Sequence, residues 1–314
     1  MKNCARSILL LVLSLVAGCG TGAGTRGTVS PAPTANGAEL KVQDDSGRTI
    51  ALPGRPRRIV SLSAAHTETL YALGAAELLV GADTYSDYPP EVRPKATLNC
   101  WPRPPLEQIL ALKPDLVLVL TQDEEFLREM EPVRVPVLKL FPKTVEKAYA
   151  NIELLGRVTG KEEEARRVVR SMRERSRSVT ERLRGAKPLR VLYELDAVDP
   201  ARPFVAGNGG FYGELMTMAG AENVFADVQG PSTQVSLEQI VARDPQVILL
   251  GDTGSPVNPQ SPQAVAARPG WSAISAVRKH RVHGVESERI TRPGPRLMEG
   301  LEEMARRLHP ERFK

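Results

Sequence analysis

The stretch "LEQILALKPDLVLVL", Leu106 to Leu120, has a cousin in "LEQIVARDPQVILLG", Leu237 to Gly251. The two align without a gap at a constant offset of 131, and seven of the fifteen positions are identical. Each copy opens with a helix-like start and a glutamate, Glu107 or Glu238. Each then meets a proline, Pro114 or Pro245, and continues as an apolar run. The residue before proline disfavours helix, so both helices are expected to stop there. A short uninterrupted apolar run after such a stop reads as a strand covered on both faces.

The flanking sequence repeats this grammar. In the first half, "RIVSLS" reads as a strand and "AHTETLYALGAAE" as a helix ended by Gly74, with Thr67 as its cap. "LLVGAD", "LVLVL" and "VPVLKL" follow as further strands. In the second half, "LRVLYEL" reads as a strand, "GNGGFYGELMTMAGAEN" as a glycine loop with a helix ended by Gly220, and "QVILLG" as a strand. "HRVHGV" is a further strand, and "GPRLMEGLEEMARRLHP" a closing helix. Strands alternating with helices imply an α/β fold with parallel sheets. Between the halves, apolar residues recur at helical spacing from Ile152 to Leu183, in a segment whose second part is highly charged. The expected architecture is two Rossmann-like α/β lobes, 38–143 and 186–314, joined by one long backbone helix over 144–185, with a cleft between the lobes. Thr159-Gly160 is the weak point of that helix.

The N-terminus reads differently. Lys2 and Arg6 precede an apolar run from Ile8 to Ala17, too short to span a bilayer and suited to a signal peptide over 1–18. Val16-Ala17-Gly18-Cys19 resembles the bacterial lipoprotein cleavage box, which implies that Cys19 becomes the lipidated first residue. Gly20 carries no retention signal of the aspartate type. Residues 19–37, rich in Gly, Thr, Pro and Ala, read as a flexible tether. The chain is thus expected outside the cytoplasm, held at a membrane by lipid, as a monomer.

Composition excludes several classes. Of three cysteines, Cys4 leaves with the signal and Cys19 takes the lipid, so Cys100 stands alone, without an internal disulfide or a Cys-x-x-Cys zinc cluster. The formal net charge of +5 falls to +3 when residues 1–18, with two basic residues and no acids, are removed. The basic residues are interleaved with acids, which is a solvated surface rather than a nucleic-acid stripe. "GNGG" lacks the third glycine of a dinucleotide fingerprint, and there is no Walker A motif or nucleophile elbow. His280 and His283, three apart in an expected strand, fall on opposite faces, and His66 at a helix start has no partner in sequence. No catalytic residue, catalytic cofactor or bound metal is expected, and the chain does not read as an enzyme.

The most specific stretch is "TYSDYPPEV", Thr84 to Val92. Only 4% of the chain is aromatic, yet Tyr85, Tyr88 and Trp101 fall close together beside prolines. Aromatics on rigid loops at a cleft make flat apolar platforms suited to a large planar ligand.

With these motifs in place, the chain resembles the substrate-binding proteins of ABC importers, in the class with a rigid helical backbone, from about Leu40 to the C-terminus. That class takes up vitamin B12, haem and ferric siderophores. The resemblance implies that Glu107 and Glu238, one per lobe, dock into arginine pockets of a permease dimer that works with its ATPases. The aromatic loop is similar to that of vitamin B12-binding proteins, which implies ligand contacts at Tyr85, Trp101 and, in the other lobe, Phe204, with an acidic contact near Glu288. Tyr88 joins them as part of the loop. Two family tryptophans fall here on Leu120 and Ser232, so the pocket is expected to be less aromatic. The implied ligand is cobalamin or a related corrinoid, with haem or a ferric siderophore as the alternative. A siderophore would call for cleft cations, for which Arg202, Arg289 and Arg292 are candidates. An envelope enzyme or adhesin on the same fold is the reading from another class.

Overall fold

Short apolar runs become strands here because helices cover both faces of each sheet. The structure, a computed structural model, describes residues 39–92, 96–121, 123–254 and 259–314. The expected signal peptide, the tether and Cys19 lie outside the described residues.

A hairpin of β1 (Leu40–Gln43) and β2 (Thr49–Leu52) precedes the first lobe. The lobe runs β3 (Ile59–Ser61), α1 (Ala64–Ala72), β4 (Leu79–Asp83), β5 (Ala96–Leu98), α2 (Leu106–Ala111), β6 (Leu116–Val119), α3 (Glu124–Met130) and β7 (Val137–Lys139). Its sheet has the order β5-β4-β3-β6-β7 and is parallel throughout, as the alternating pattern predicts. Gly74, with φ +68°, ends the α1 turn in the left-handed conformation that favours glycine. Thr67 does not cap α1. It lies buried inside the helix and donates to Ser61 Oγ at 2.9 Å.

The linking segment departs from the expectation of one long helix. It is two helices, α4 (Val145–Thr159) and α5 (Glu162–Arg182), divided at Gly160 with φ +74°. They fold back on each other. A Cβ on Gly156 would lie 2.5 Å from Ala165 Cβ, and the Arg173 guanidinium stacks 4.6 Å from the Tyr149 ring centre. The pattern 144–185 hides this because both helices keep an apolar stripe. α5, roughly 31 Å long at 1.5 Å per residue, runs between the lobes. Glu162 at its start meets Arg55, and Arg182 at its end stacks on Phe313.

The second lobe runs β8 (Leu189–Asp196), β9 (Phe204–Ala206), α6 (Phe211–Met218), β10 (Ala221–Asn223), β11 (Ser232–Gln234), α7 (Leu237–Arg243) and β12 (Val247–Leu250). It continues through α8 (Pro262–Ala266), α9 (Ser275–Arg278), β13 (Val282–Gly284), α10 (Ser287–Thr291) and α11 (Leu297–Leu308). Its sheet is mixed, which corrects the expectation of two parallel sheets. β8 pairs in parallel with β12 and, along its first residues, with β10, but its end pairs antiparallel with β9, which pairs antiparallel with β11. The link from β8 to β9, residues 197–203, is too short for the crossover that a parallel pair needs.

The repeat extends to atomic detail. Strands β6 and β12 sit 131 residues apart, as do Lys113 and Asp244, both with positive φ at the end of their helix. Asp115 accepts from the Arg58 amide at 2.9 Å, and Gln246 accepts from the Arg190 amide at 2.9 Å. The side chain of Arg58 donates to Leu112 O at 2.7 Å, and that of Arg190 to Arg243 O at 2.5 Å, each closing the carboxyl end of its helix.

Burial follows the same register. Leu116 and Leu118, like Val247 and Leu249, enter one core shared by both lobes, α4, α5 and α11. Val117 and Val119 pack outward against Ile109 and Phe126, and Ile248 and Leu250 outward against Ile240 and Trp271.

Candidate functional site

In sheets of this kind a ligand site forms where loops leave the carboxyl ends of the strands. Across the first sheet the order is β5, β4, β3, β6, β7. Trp101 follows β5, Tyr85 and Tyr88 follow β4, Leu120 follows β6, and Phe141 to Lys143 follow β7. At about 4.8 Å between strands, the aromatics hold one end of this edge and Lys143 the other. In the second lobe Phe204 pairs with Asp196 at the carboxyl end of β8.

These aromatics stand out of the surface. Trp101 is 72% exposed, Tyr85 55%, Phe204 44% and Tyr88 43%; among the described residues the one other large exposed apolar side chain is Val198. The loop that carries the tyrosines is pinned from below. Ser86, buried, donates to Thr67 Oγ1 at 3.0 Å, Thr67 donates to Ser61 Oγ, and Ser61 donates to Ser63 O at 3.0 Å. The Ser86 amide donates to Asp83 O at 2.8 Å and the Tyr85 amide to Asp83 Oδ1 at 3.2 Å. Ser86 and Asp83 are thus turned inward, while the rings of Tyr85 and Tyr88 are exposed.

Beside this rim lies a cavity of about 490 Å³. The first lobe gives it Leu120, Phe141, Pro142 and Lys143; the second gives Leu195, Phe211, Tyr212 and Ser232 among others. Leu120 and Ser232, the two positions without the aromatic that the resemblance implies, both line it. The Gly207-Asn-Gly-Gly210 turn forms part of the wall against Gly230 and Pro231. A Cβ on Gly209 would lie 2.6 Å from the Gly230 carbonyl carbon, so close backbone approach explains that glycine.

Tyr85, Tyr88, Trp101, Phe204 and Glu288 are not lining residues of this cavity. They form a rim beside it rather than its walls. Glu288 is half-buried in α10, one turn before Thr291, which does line the cavity. Tyr88 is engaged by the protein itself. Arg296 lies 3.7 Å from its ring centre and also grips Glu68 of α1 through Nη2 at 2.8 Å and its backbone amide at 3.1 Å. Next to it, Arg292 pairs with Asp87 at 2.5 Å. Burial pushes the Asp87 carboxyl up, but the hydrogen bond and charge of Arg292 outweigh it and leave its pKa lowered. These two pairs tie the aromatic loop of one lobe to the start of α11 in the other.

The cleft cations that a siderophore would call for are not assembled. Arg292 is paired as described, Arg289 pairs with Glu286 and lies 3.8 Å from Glu299, and Arg202 is exposed. None of the three lines the cavity. Of the histidines, His66 is buried with Nε2 on Leu140 O at 3.1 Å, and burial lowers its pKa to about 4. His280 precedes β13, with φ +53°, rather than sharing the strand with His283.

Sequence reasoning missed Phe141, Lys143, Phe211 and Tyr212. The signal was available only as position: each follows a strand or opens a helix at the carboxyl edge.

Glu107 and Glu238 are both exposed, in the first turns of α2 and α7. Each helix runs back against the strand that follows it, so its start lies level with the carboxyl edge. Neither glutamate joins an ion pair among the described residues. The Glu238 carboxyl is lowered by a hydrogen bond with Ser236. Ser236 also closes a capping box with Gln239, whereas α2 starts from Pro105 without a side-chain cap.

Two lobes sharing one core, with an apolar cavity and exposed aromatics at their carboxyl edges, define a two-lobed binding-protein architecture. The chain belongs to the periplasmic binding protein family, whose pattern it matches over residues 59–288. It is 30% identical to an uncharacterized ABC transporter substrate-binding lipoprotein, YvrC, of Bacillus subtilis, over 98% of this chain and 96% of that one. Among solved structures it is similar to the periplasmic vitamin B12-binding protein BtuF of Vibrio cholerae, at 26% identity and a TM-score of 0.71, covering 83% of this chain and 99% of that one. It is also similar to the periplasmic heme-binding protein RhuT from Roseiflexus sp. RS-1, at 25% identity and a TM-score of 0.72, covering 82% and 99%. The fold is that of the rigid-helix class, and the family consists of substrate-binding proteins of transporters rather than enzymes.

Proposed function

We propose that this chain is the extracytoplasmic substrate-binding component of an ABC importer, held at the membrane through Cys19. It takes cobalamin or a related corrinoid between its lobes and presents Glu107 and Glu238 to the permease dimer. The observation that carries the ligand reading is the rim: Trp101, Tyr85, Tyr88 and Phe204, from both lobes, stand exposed beside an apolar cavity. Exposed aromatics are costly in water and gain by stacking on a large flat ligand. The YvrC relative supports the importer and lipoprotein role, and the similar vitamin B12-binding structure supports the corrinoid reading. The lobe boundaries near 143 and 186 belong to this proposal, with α4 and α5 between them.

Haem is the second reading, supported by the heme-binding neighbour. A multiply anionic ferric siderophore fits less well, because Arg202, Arg289 and Arg292 stand outside the cavity lining.

Isothermal titration with cyanocobalamin, haem and a ferric siderophore tests the proposal. Sub-micromolar cobalamin binding, weakened by about 1–3 kcal/mol in Trp101→Ala, supports the corrinoid. Binding of haem alone keeps the importer role and changes the cargo. Silence with all three probes removes the ligand reading.

A further inference from the structure

Among the described lining residues of the cavity, Lys143 is the one charged side chain. The remainder are aliphatic, aromatic, proline, glycine or hydroxyl-bearing residues. Other basic residues near the rim are neutralised, Arg292 by Asp87, Arg296 by Glu68 and Arg289 by Glu286. Lys143 differs: it has no ion pair or hydrogen bond among the described residues.

Its neighbours in the chain fix its place. Thr144 accepts from the Lys147 amide at 3.1 Å and caps α4. Glu214, the carboxylate that reaches this segment from the second lobe, accepts from the Val145 amide at 2.7 Å. The backbone on both sides of Lys143 is therefore anchored, by Phe141 and Pro142 in the cavity wall and by the α4 cap. Lys143 itself is exposed where it lines the cavity.

A bulky ligand entering this space strips water from the ammonium. An unpaired cation then costs free energy unless the ligand brings the opposite charge. One cation among apolar walls therefore selects for an apolar body bearing an anionic group and against a neutral analogue. The geometry points to Lys143 as the counter-ion of one anionic group, a carboxylate or a phosphodiester, on the edge of the ligand. This assignment rests on the reading of the cleft as the ligand site.

Three probes separate the possibilities: cyanocobalamin, which carries a phosphodiester; dicyanocobinamide, which lacks it; and haem, which carries carboxylates. Each is titrated into the full-length lipoprotein in detergent, and into Lys143→Gln and Lys143→Glu, at low and high salt. Lys143→Gln is expected to weaken the anionic probe that the protein binds by roughly 5- to 30-fold. Lys143→Glu is expected to weaken it further. Cobinamide should bind all three proteins alike, and the salt dependence of the unmodified protein should be reduced in Lys143→Gln. If cyanocobalamin or haem binds Lys143→Gln as tightly as the unmodified protein at both salts, the assignment falls and the cleft reading stands. An equal loss for cobinamide also overturns it, since a charge role would spare the neutral analogue. If the unmodified protein binds none of the probes, the cleft reading falls and the assignment falls with it.

Discussion

Asp252 follows β12 and is only 4% exposed; among the described residues neither of its oxygens has a hydrogen-bond partner. Nearby, Glu194 and Arg268 form a buried two-pronged pair with both contacts at 2.7 Å, and Arg268 stacks over Trp271. Burial, with the Glu194 charge beside it, raises the Asp252 pKa from 3.8 to about 7. The folded state thus holds a proton that the unfolded chain has lost. The stability due to that proton is fully present below about pH 4 and is lost as the pH rises through about 7. Asp252→Asn keeps the shape without the charge. Denaturant unfolding should show it gaining on the unmodified protein as pH rises from 4 to 8, by on the order of 1–3 kcal/mol, with no gain at pH 4. A difference that ignores pH would mean that Asp252 does not titrate in this window. At this scale the sequence was legible where a residue type was scarce. Tyr85 and Trp101 stand out because aromatics are few and these sit beside prolines. Lys143 and Asp252 do not, since one lysine or aspartate after a strand has no pattern to distinguish it from a solvated neighbour.

The two "LEQI" helices show how much of an element can be read and where reading stops. Start, stop and following strand were all legible, because proline and apolar runs are strong local signals. The arginine clamp was not, since Arg58 and Arg190 are 132 residues apart rather than 131 and lie far from the helices they close. The break at Gly160 was legible as a weak point but not as a hairpin, because one apolar stripe serves either outcome. The mixed second sheet was hidden for a related reason: β9 is three residues long and carries no periodicity. The clamp has a measurable role. Removing a donor that closes a helix end leaves carbonyls without partners. Arg58→Ala and Arg190→Ala should each lower stability by about 0.5–1.5 kcal/mol, read from denaturant midpoints. No effect from either would show that water replaces the clamp without loss.

Taken whole, the molecule places its two exposed glutamates on separate outer cores while its inner core is common to both lobes. The proposed docking points, Glu107 and Glu238, can therefore be altered without touching the cleft. Glu107→Ala or Glu238→Ala should weaken capture by the permease in nanodiscs by roughly tenfold or more, and the double variant should abolish it. Ligand affinity should stay within about twofold of the unmodified protein. Loss of ligand binding in either variant would tie the glutamates to the cleft instead. The two-lobe plan itself was legible because its halves repeat. The cleft's interior was not, since it is assembled from strand ends that only the fold brings together.

The continuous inner core has a kinetic corollary. Rotating the lobes apart would expose apolar surface at roughly 25 cal/mol per Å², so the empty protein is held close to its occupied shape. Little of the affinity is then lost to a rare receptive population. Capture should follow a rate that rises linearly with ligand concentration and shows no plateau. Stopped-flow quenching is the direct record, and a plateau would reveal a slow opening that the common core is expected to suppress.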